Sequence, residues 1–197
     1  MDPTTLRNIV QAIIQSAKEP VSLNELYRVF KREHGVQTAD IQEAIEELFK
    51  ENNPTQELKT IAGGYRYLIK QEYVPWIQKA QLTEYENEIS SRALTEVLAI
   101  IAYKQPISRG EIEWVRGRQT STEIYQQLEE REWIRVVGYS GEHNRAGLYG
   151  TTKGFLTYFG LNSICDLPDL EEVLRLEDPN ENEIEASIEE EGVDLAV

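Results

Sequence analysis

Apolar residues recur at three and four over the first twenty positions: Leu6, Ile9, Val10, Ile13 and Ile14. That spacing predicts an amphipathic helix over Thr4–Lys18. Pro20 has no N–H to give and biases its neighbour out of the helical region, so the helix stops before it. Ser22 and Glu25 form a capping-box pair ahead of Leu23, Leu26, Tyr27 and Phe30, the stripe of a second helix that Gly35 ends. Thr38 opens a third, with Ile41, Ala44, Ile45 and Leu48 on one face. Leu58–Ile61 and Tyr65–Leu68 then read as short strands, with Gly63-Gly64 as the hairpin turn between them. Tyr73, Trp76 and Ile77 suggest a closing helical turn.

The chain then says nearly the same thing again. At an offset of 86 residues Ile14 matches Ile100, Lys18 matches Lys104, Pro20 matches Pro106, Ser22 matches Ser108 and Glu25 matches Glu111. Leu94, Val97, Leu98 and Ile101 stripe a first helix, Pro106 stops it, and Ser108 with Glu111 caps the next. Thr120 and Glu123 form another capping-box pattern before Ile124 and Leu128. Trp133–Val137 is β-rich, Ser140–Gly147 is the expected wing tip, and Leu148-Tyr149-Gly150 the return strand. Phe155, Leu156 and Phe159 close the copy. Helix–helix–helix–hairpin is the winged-helix variant of helix-turn-helix, and a long self-match means one supersecondary unit used twice. The expected fold is α+β and helix-rich, with two tandem winged-helix domains at 1–80 and 81–168. A bundle without the wing is the alternative.

Charge changes the picture by its placement. A net charge of −15 argues at first sight against nucleic acid. Yet residues 1–80 carry 10 basic and 11 acidic side chains, residues 81–165 carry 9 and 11, and residues 166–197 carry 1 and 13. The segment 169–197 is therefore expected to be an acidic, disordered tail, either solubilising or acting as a lure for a basic partner or a shield against DNA. The third helices decide more. Asp40, Glu43, Glu46, Glu47 and Glu51 stand against Lys50 in the first copy, and Glu123, Glu129, Glu130 and Glu132 against Arg131 in the second. In the usual docking mode this helix enters the major groove, where Lys and Arg supply the affinity. Acidic third helices predict no tight, specific nucleic-acid binding. Arg109, Arg116, Arg118 and Arg145 read as solvated or salt-bridged surface, or as weak non-specific contacts.

Chemistry adds little. His34 and His143 lie one per copy, at an expected helix end and wing tip, and Cys165 is the single cysteine. Neither a metal cluster nor a nucleophile–base pair is supported, and no phosphate-cradling Gly-rich motif occurs. No catalytic, cofactor-binding or metal-ligating residues are expected. There is no apolar run long enough to span a bilayer, and Met1-Asp2 leads directly into polar residues without a secretory signal, so a cytoplasmic, non-membrane protein is expected. Trp76, Trp114 and Trp133 fall on apolar positions and read mostly as core. Units of this size can just support a core alone, which favours oligomerisation. Some tyrosines are expected to stay exposed for a partner: Tyr65, Tyr67, Tyr103 and Tyr149.

Several blocks in order carry a resemblance. Ala93-Leu94, Leu98 through Arg109, Arg116-Gly117, Leu148-Tyr149-Gly150-Thr151-Thr152, Phe155-Leu156, Phe159-Gly160-Leu161-Asn162-Ser163 and Asp166-Leu167-Pro168 are similar to the signature of segregation and condensation protein B. Ala62 through Tyr67 and Tyr73-Val74-Pro75-Trp76 resemble that family's first wing segment. Where the family's second wing usually carries Gly-Arg-Pro, this chain has Asn144-Arg145-Ala146. The resemblance implies a non-catalytic subunit of the bacterial condensin-type complex, acting in chromosome condensation and segregation. It implies a homodimer through the N-terminal winged helix. It also implies a grip by the C-terminal one on the kleisin, segregation and condensation protein A, and through it on the structural-maintenance-of-chromosomes ATPase. The partner-binding candidates are Tyr103, Arg109, Arg145 and Tyr149, and the dimer-interface candidates Tyr65 and Tyr67. The runner-up reading is a winged-helix transcription regulator that binds DNA.

Overall fold

The structure, a computed structural model, describes residues 1–31, 35–80, 91–141 and 145–169. It is helix-rich with two small sheets. Contacts divide the chain into Met1–Ile164 and Cys165–Val197. The first part holds every long element. Of the second, residues 165–169 are described, and Cys165 is exposed. The acidic segment 170–197 and both histidines, His34 and His143, lie outside the described residues.

Helix α1 spans Pro3–Ser16. Asp2 caps it by accepting the Thr5 N–H, and Pro3 sits in the first turn, where its missing N–H costs nothing. It ends in the extended Ala17, before Pro20 is reached. Helix α2, Leu23–Phe30, opens on the expected box: Ser22 Oγ accepts from the Glu25 N–H, and the Glu25 carboxylate accepts from the Ser22 N–H. Helix α3 spans Thr38–Lys50. Leu6, Val10 and Ile14 meet Leu26, Phe30, Ile41, Ala44, Ile45 and Leu48 in one buried cluster, joined by Leu58. Strands β1, Gln56–Ile61, and β2, Gly64–Ile69, cover it as an antiparallel hairpin. Gln71–Tyr73 forms a 3-10 turn before helix α4, Val74–Ala80.

The hairpin turn is Ala62-Gly63, not Gly63-Gly64. Both turn residues have positive φ, 50° and 77°, as a tight hairpin with the right twist requires. Gly64 belongs to the strand, and its lack of a side chain serves packing: a Cβ there would stand 2.8 Å from the Pro20 carbonyl carbon. Val21 and Tyr65 exchange backbone hydrogen bonds beside it, at 3.0 and 2.8 Å.

The second set repeats the order: α5 (Arg92–Lys104), β3 (Ile107–Ser108), α6 (Arg109–Arg116), α7 (Thr122–Glu130), β4 (Ile134–Ser140), β5 (Ala146–Thr151) and α8 (Lys153–Phe159). The sheet order is β3-β5-β4, with a register shift between Val136 and Gly138. The two-residue β3 pairs Ile107 with Tyr149, as Val21 pairs with Tyr65, so Tyr65 and Tyr149 occupy equivalent places in the two sets. Ile101, Ile112, Tyr125, Leu128, Trp133, Ile134 and Phe155 are buried.

Two expectations fail here. The α7 N-cap is Ser121 rather than Thr120. Thr120 is used elsewhere, its hydroxyl accepting from Arg116 Nη1 at 2.6 Å. Of the three tryptophans only Trp133 is core. Trp76 is exposed, and Trp114 is 83% exposed. On α6 the inward positions are Ile112 and Arg116, four apart, and a residue midway between them faces away.

Candidate functional site

Local sequence places Arg109 with little freedom. Ser108 caps α6 through its box with Glu111, and hydrogen bonds from the Ser108 hydroxyl and N–H hold the Glu111 carboxyl below the usual carboxylate range. Arg109 is thereby the first helical residue. Strand β3 pairs Ser108 with Leu148 and Ile107 with Tyr149, which brings the Arg109 stem beside the Tyr149 ring. The guanidinium Nε donates to Tyr149 Oη at 3.0 Å. Its central carbon lies 4.3 Å from the centroid of Tyr125 and 5.6 Å from that of Tyr149, within cation–π range of both. The two rings stack at 5.3 Å and 29°. Burial pushes the Tyr125 phenol up. Arg109 itself is exposed, so the arrangement is a cation seated on an aromatic base with one face open.

Of the four partner-binding candidates, Arg109 and Tyr149 are in direct contact. Tyr149 is 5% exposed, so its ring is core and cannot serve as a rim anchor. Its contribution at the surface is the hydroxyl that orients Arg109. Tyr103 is half-buried in the last turn of α5. Arg145 is exposed just before β5, four residues from Tyr149, or about 13 Å along an extended strand. Gln105 ties the α5 end to the sheet: its amide nitrogen donates to the Ala102 carbonyl and to Thr151 Oγ1, and its oxygen accepts the Thr151 N–H at 2.7 Å. Gly150 leaves room for that oxygen, which a Cβ would meet at 3.0 Å. The Lys104-Gln105-Pro106 and Gly150-Thr151 motifs thus have a structural explanation that spacing alone does not reveal.

Tyr65 and Tyr67 are half-buried against the core of the first set. Tyr65 meets Phe49 edge-on at 6.1 Å. The Tyr67 phenol is pushed up by burial and by Glu51, against the Gln11 hydrogen bond and Arg7. The freely exposed apolar side chains nearby are Phe49 and Ile69, which no sequence motif singles out. On α3 the exposed face carries Glu43, Glu46 and Glu47, and on α7 Glu123, Glu129 and Glu130. Arg116 and Arg118 are salt-bridged to Glu96. Among the described residues no helix is long and apolar enough to cross a membrane, and no group of three or more His, Cys, Asp or Glu side chains is placed to hold a metal.

Comparison with known proteins adds the family. A curated segregation and condensation protein B homolog from Coxiella burnetii is 39% identical over 170 residues, covering 86% of this chain and 80% of that protein. Segregation and condensation protein B of Enterococcus faecalis is 35% identical over 181 residues, covering 91% and 88%. Two crystal structures are similar in sequence over most of their length. A conserved hypothetical protein from Chlorobium tepidum has 32% identity, covers 81% of this chain and 98% of that one, and gives a TM-score of 0.36. ScpB from Mycobacterium tuberculosis has 23% identity, covers 82% and 98%, and gives 0.37. The family model for the segregation and condensation complex subunit ScpB matches residues 8–170, a span that takes in both helix–hairpin sets, and the chain belongs to that family.

Proposed function

We propose that this chain is a non-catalytic, dimeric scaffold of the bacterial condensin-type complex, built from tandem winged helices at 1–80 and 81–168 with an acidic tail at 169–197. In this reading the second winged helix binds the kleisin, and the kleisin links it to the structural-maintenance-of-chromosomes ATPase. The observation that carries the kleisin-binding half is the seated Arg109: a cation held at 3.0 Å by Tyr149 and stacked on Tyr125, with its open face outward. An arginine fixed this way loses little side-chain freedom on binding, which favours it as an interface anchor. The acidic exposed faces of α3 and α7 count against the transcription-regulator reading. For the dimer, Tyr65 and Tyr67 back a surface whose exposed members are Phe49 and Ile69.

Co-purification of the full chain with its kleisin, followed by calorimetry, tests the reading. Arg109→Ala should weaken binding by about 1–3 kcal/mol, and Tyr149→Phe by less, because the ring stays. Phe49→Glu should shift sedimentation toward monomer and leave kleisin binding in place. Kleisin affinity unchanged in Arg109→Ala removes this site from the proposal.

A further inference from the structure

One region of positive charge stands out in a chain whose net charge is −15. Arg92, Glu96 and Ile100 lie one turn apart on a single face of α5. Opposite them, α6 ends at Arg116, and Gly117, in the left-handed conformation at φ 67°, turns the chain so that Arg118 comes back toward α5. Three guanidinium groups converge on one carboxylate. Glu96 Oε1 accepts from Arg92 Nε at 3.1 Å, and Oε2 from Arg116 Nη2 at 3.0 Å and Arg118 Nη2 at 2.5 Å. Glu113 is engaged next door, accepting the Thr120 N–H at 3.1 Å.

The three arginines differ in what they do. The Arg116 side chain is 3% exposed and satisfied by Glu96 and Thr120, so it alone suffices to lock α5 to α6. Arg118 and Arg92 are 58% and 93% exposed. Each gives one N–H to Glu96 and keeps the rest of its planar fork for another acceptor. Between them runs an open cleft of about 640 Å³ with the half-buried Ile100 as its apolar member. We infer that this cleft docks an acidic segment of a partner protein in which carboxylates bracket an aliphatic side chain. The carboxylates would take the outer edges of Arg92 and Arg118, the geometry in which guanidinium groups bind best. The aliphatic side chain would cover Ile100.

A nucleic acid fits less well. Duplex binding needs a stripe of Lys and Arg that follows the backbone. Here two guanidinium edges flank a carboxylate and an apolar residue, and a phosphodiester gains nothing from Ile100. The site is distinct from Arg109 and does not depend on which protein Arg109 meets.

The test uses the full chain and fluorescence anisotropy with a labelled peptide carrying two Glu-Leu-Glu units. A Glu-Ser-Glu version and a labelled DNA duplex are the comparisons. The Glu-Leu-Glu peptide should bind best, and more weakly as salt rises. The double variant Arg92→Gln, Arg118→Gln keeps the Arg116–Glu96 lock and should lose affinity about tenfold or more. Ile100→Ser should erase the preference for leucine over serine and leave the salt dependence in place. Equal binding by wild type and double variant, or no binding by wild type, overturns the inference. Tighter binding of the duplex, lost in the double variant, overturns it in favour of nucleic acid.

Discussion

Replacing Gly64 by alanine should destabilise the first helix–hairpin set, and the structure fixes the scale. The added Cβ would stand 2.8 Å from the Pro20 carbonyl carbon, 2.9 Å from its oxygen and 3.0 Å from its Cβ. All three atoms are backbone or ring, so no flexible side chain can swing aside. Nor can the segments part freely, because Val21 and Tyr65 are joined by hydrogen bonds of 3.0 and 2.8 Å immediately alongside. Relief requires a shift of several tenths of an ångström, which weakens those bonds. Overpacking of this kind costs about 1–3 kcal/mol. In a unit of this size that is a fall in melting temperature of roughly 4–8 °C per kcal/mol. Gly110→Ala is the matched control. Nothing lies within 4 Å of its Cβ, and it sits in α6 with ordinary backbone angles. It should stabilise by about 0.4–1 kcal/mol through the unfolded chain. Urea titrations followed by circular dichroism compare the two. Gly64→Ala at or above wild-type stability would refute the argument from contact distance.

Leu26→Ala and Ile112→Ala remove equivalent, fully buried side chains from the two cores, and each should cost about 2–5 kcal/mol. Hydrogen exchange should show the loss mainly in the set that carries the substitution. Glu96 is held at a pKa of about 2, first by the Arg118 and Arg116 hydrogen bonds and then by the Arg118 charge and Arg92. Its lowered pKa means that the stabilisation it gives is present above the ordinary carboxylate range and lost as pH falls through about 2. An NMR titration should find that midpoint, and Arg118→Gln should raise it. Tyr149→Phe should cost about 0.5–1.5 kcal/mol in stability, since the ring packing stays and one hydrogen bond goes.

Periodicity locates the helices well because burial follows it: Leu6, Val10 and Ile14 are inward on α1, and Ile41, Ala44, Ile45 and Leu48 on α3. The capping boxes at Ser22 and Ser108 are legible because all their atoms lie within four residues of sequence. What escapes is tertiary. Strand β3 is two residues long and exists only through its pairing with Tyr149. Gly64 looks like a turn residue because the approach of Pro20, distant in sequence, is invisible there. Arg116 reads as surface, yet Glu96, twenty residues earlier, buries it. Tyr149 reads as a rim residue, since a single strand does not say which of its faces is covered until its neighbours are known. Trp114 is a different case: the spacing of Ile112 and Arg116 already places it outward, and its apolar character misleads. Of the candidate site, Arg109 is legible and its aromatic seat is not, because Tyr125 comes from another helix.

The turn at Ala62-Gly63 has a consequence for how the molecule is made. Its two N–H groups donate to the Leu161 carbonyl and to Asn162 Oδ1, at 2.9 and 3.0 Å, and the second contact spans 99 residues of sequence. The buried cluster beneath that turn draws on residues no later than Tyr67. A ribosome adding about 5–20 residues per second therefore makes every residue of the first core roughly 5–20 s before the acceptors of its hairpin turn exist. During that interval the first hairpin turn lacks both of its distant acceptors, whereas Phe49 and Ile69 are exposed even in the finished structure. The stitch closes only after Leu161 and Asn162 have been made, so it joins the first hairpin to a segment that follows the whole second set.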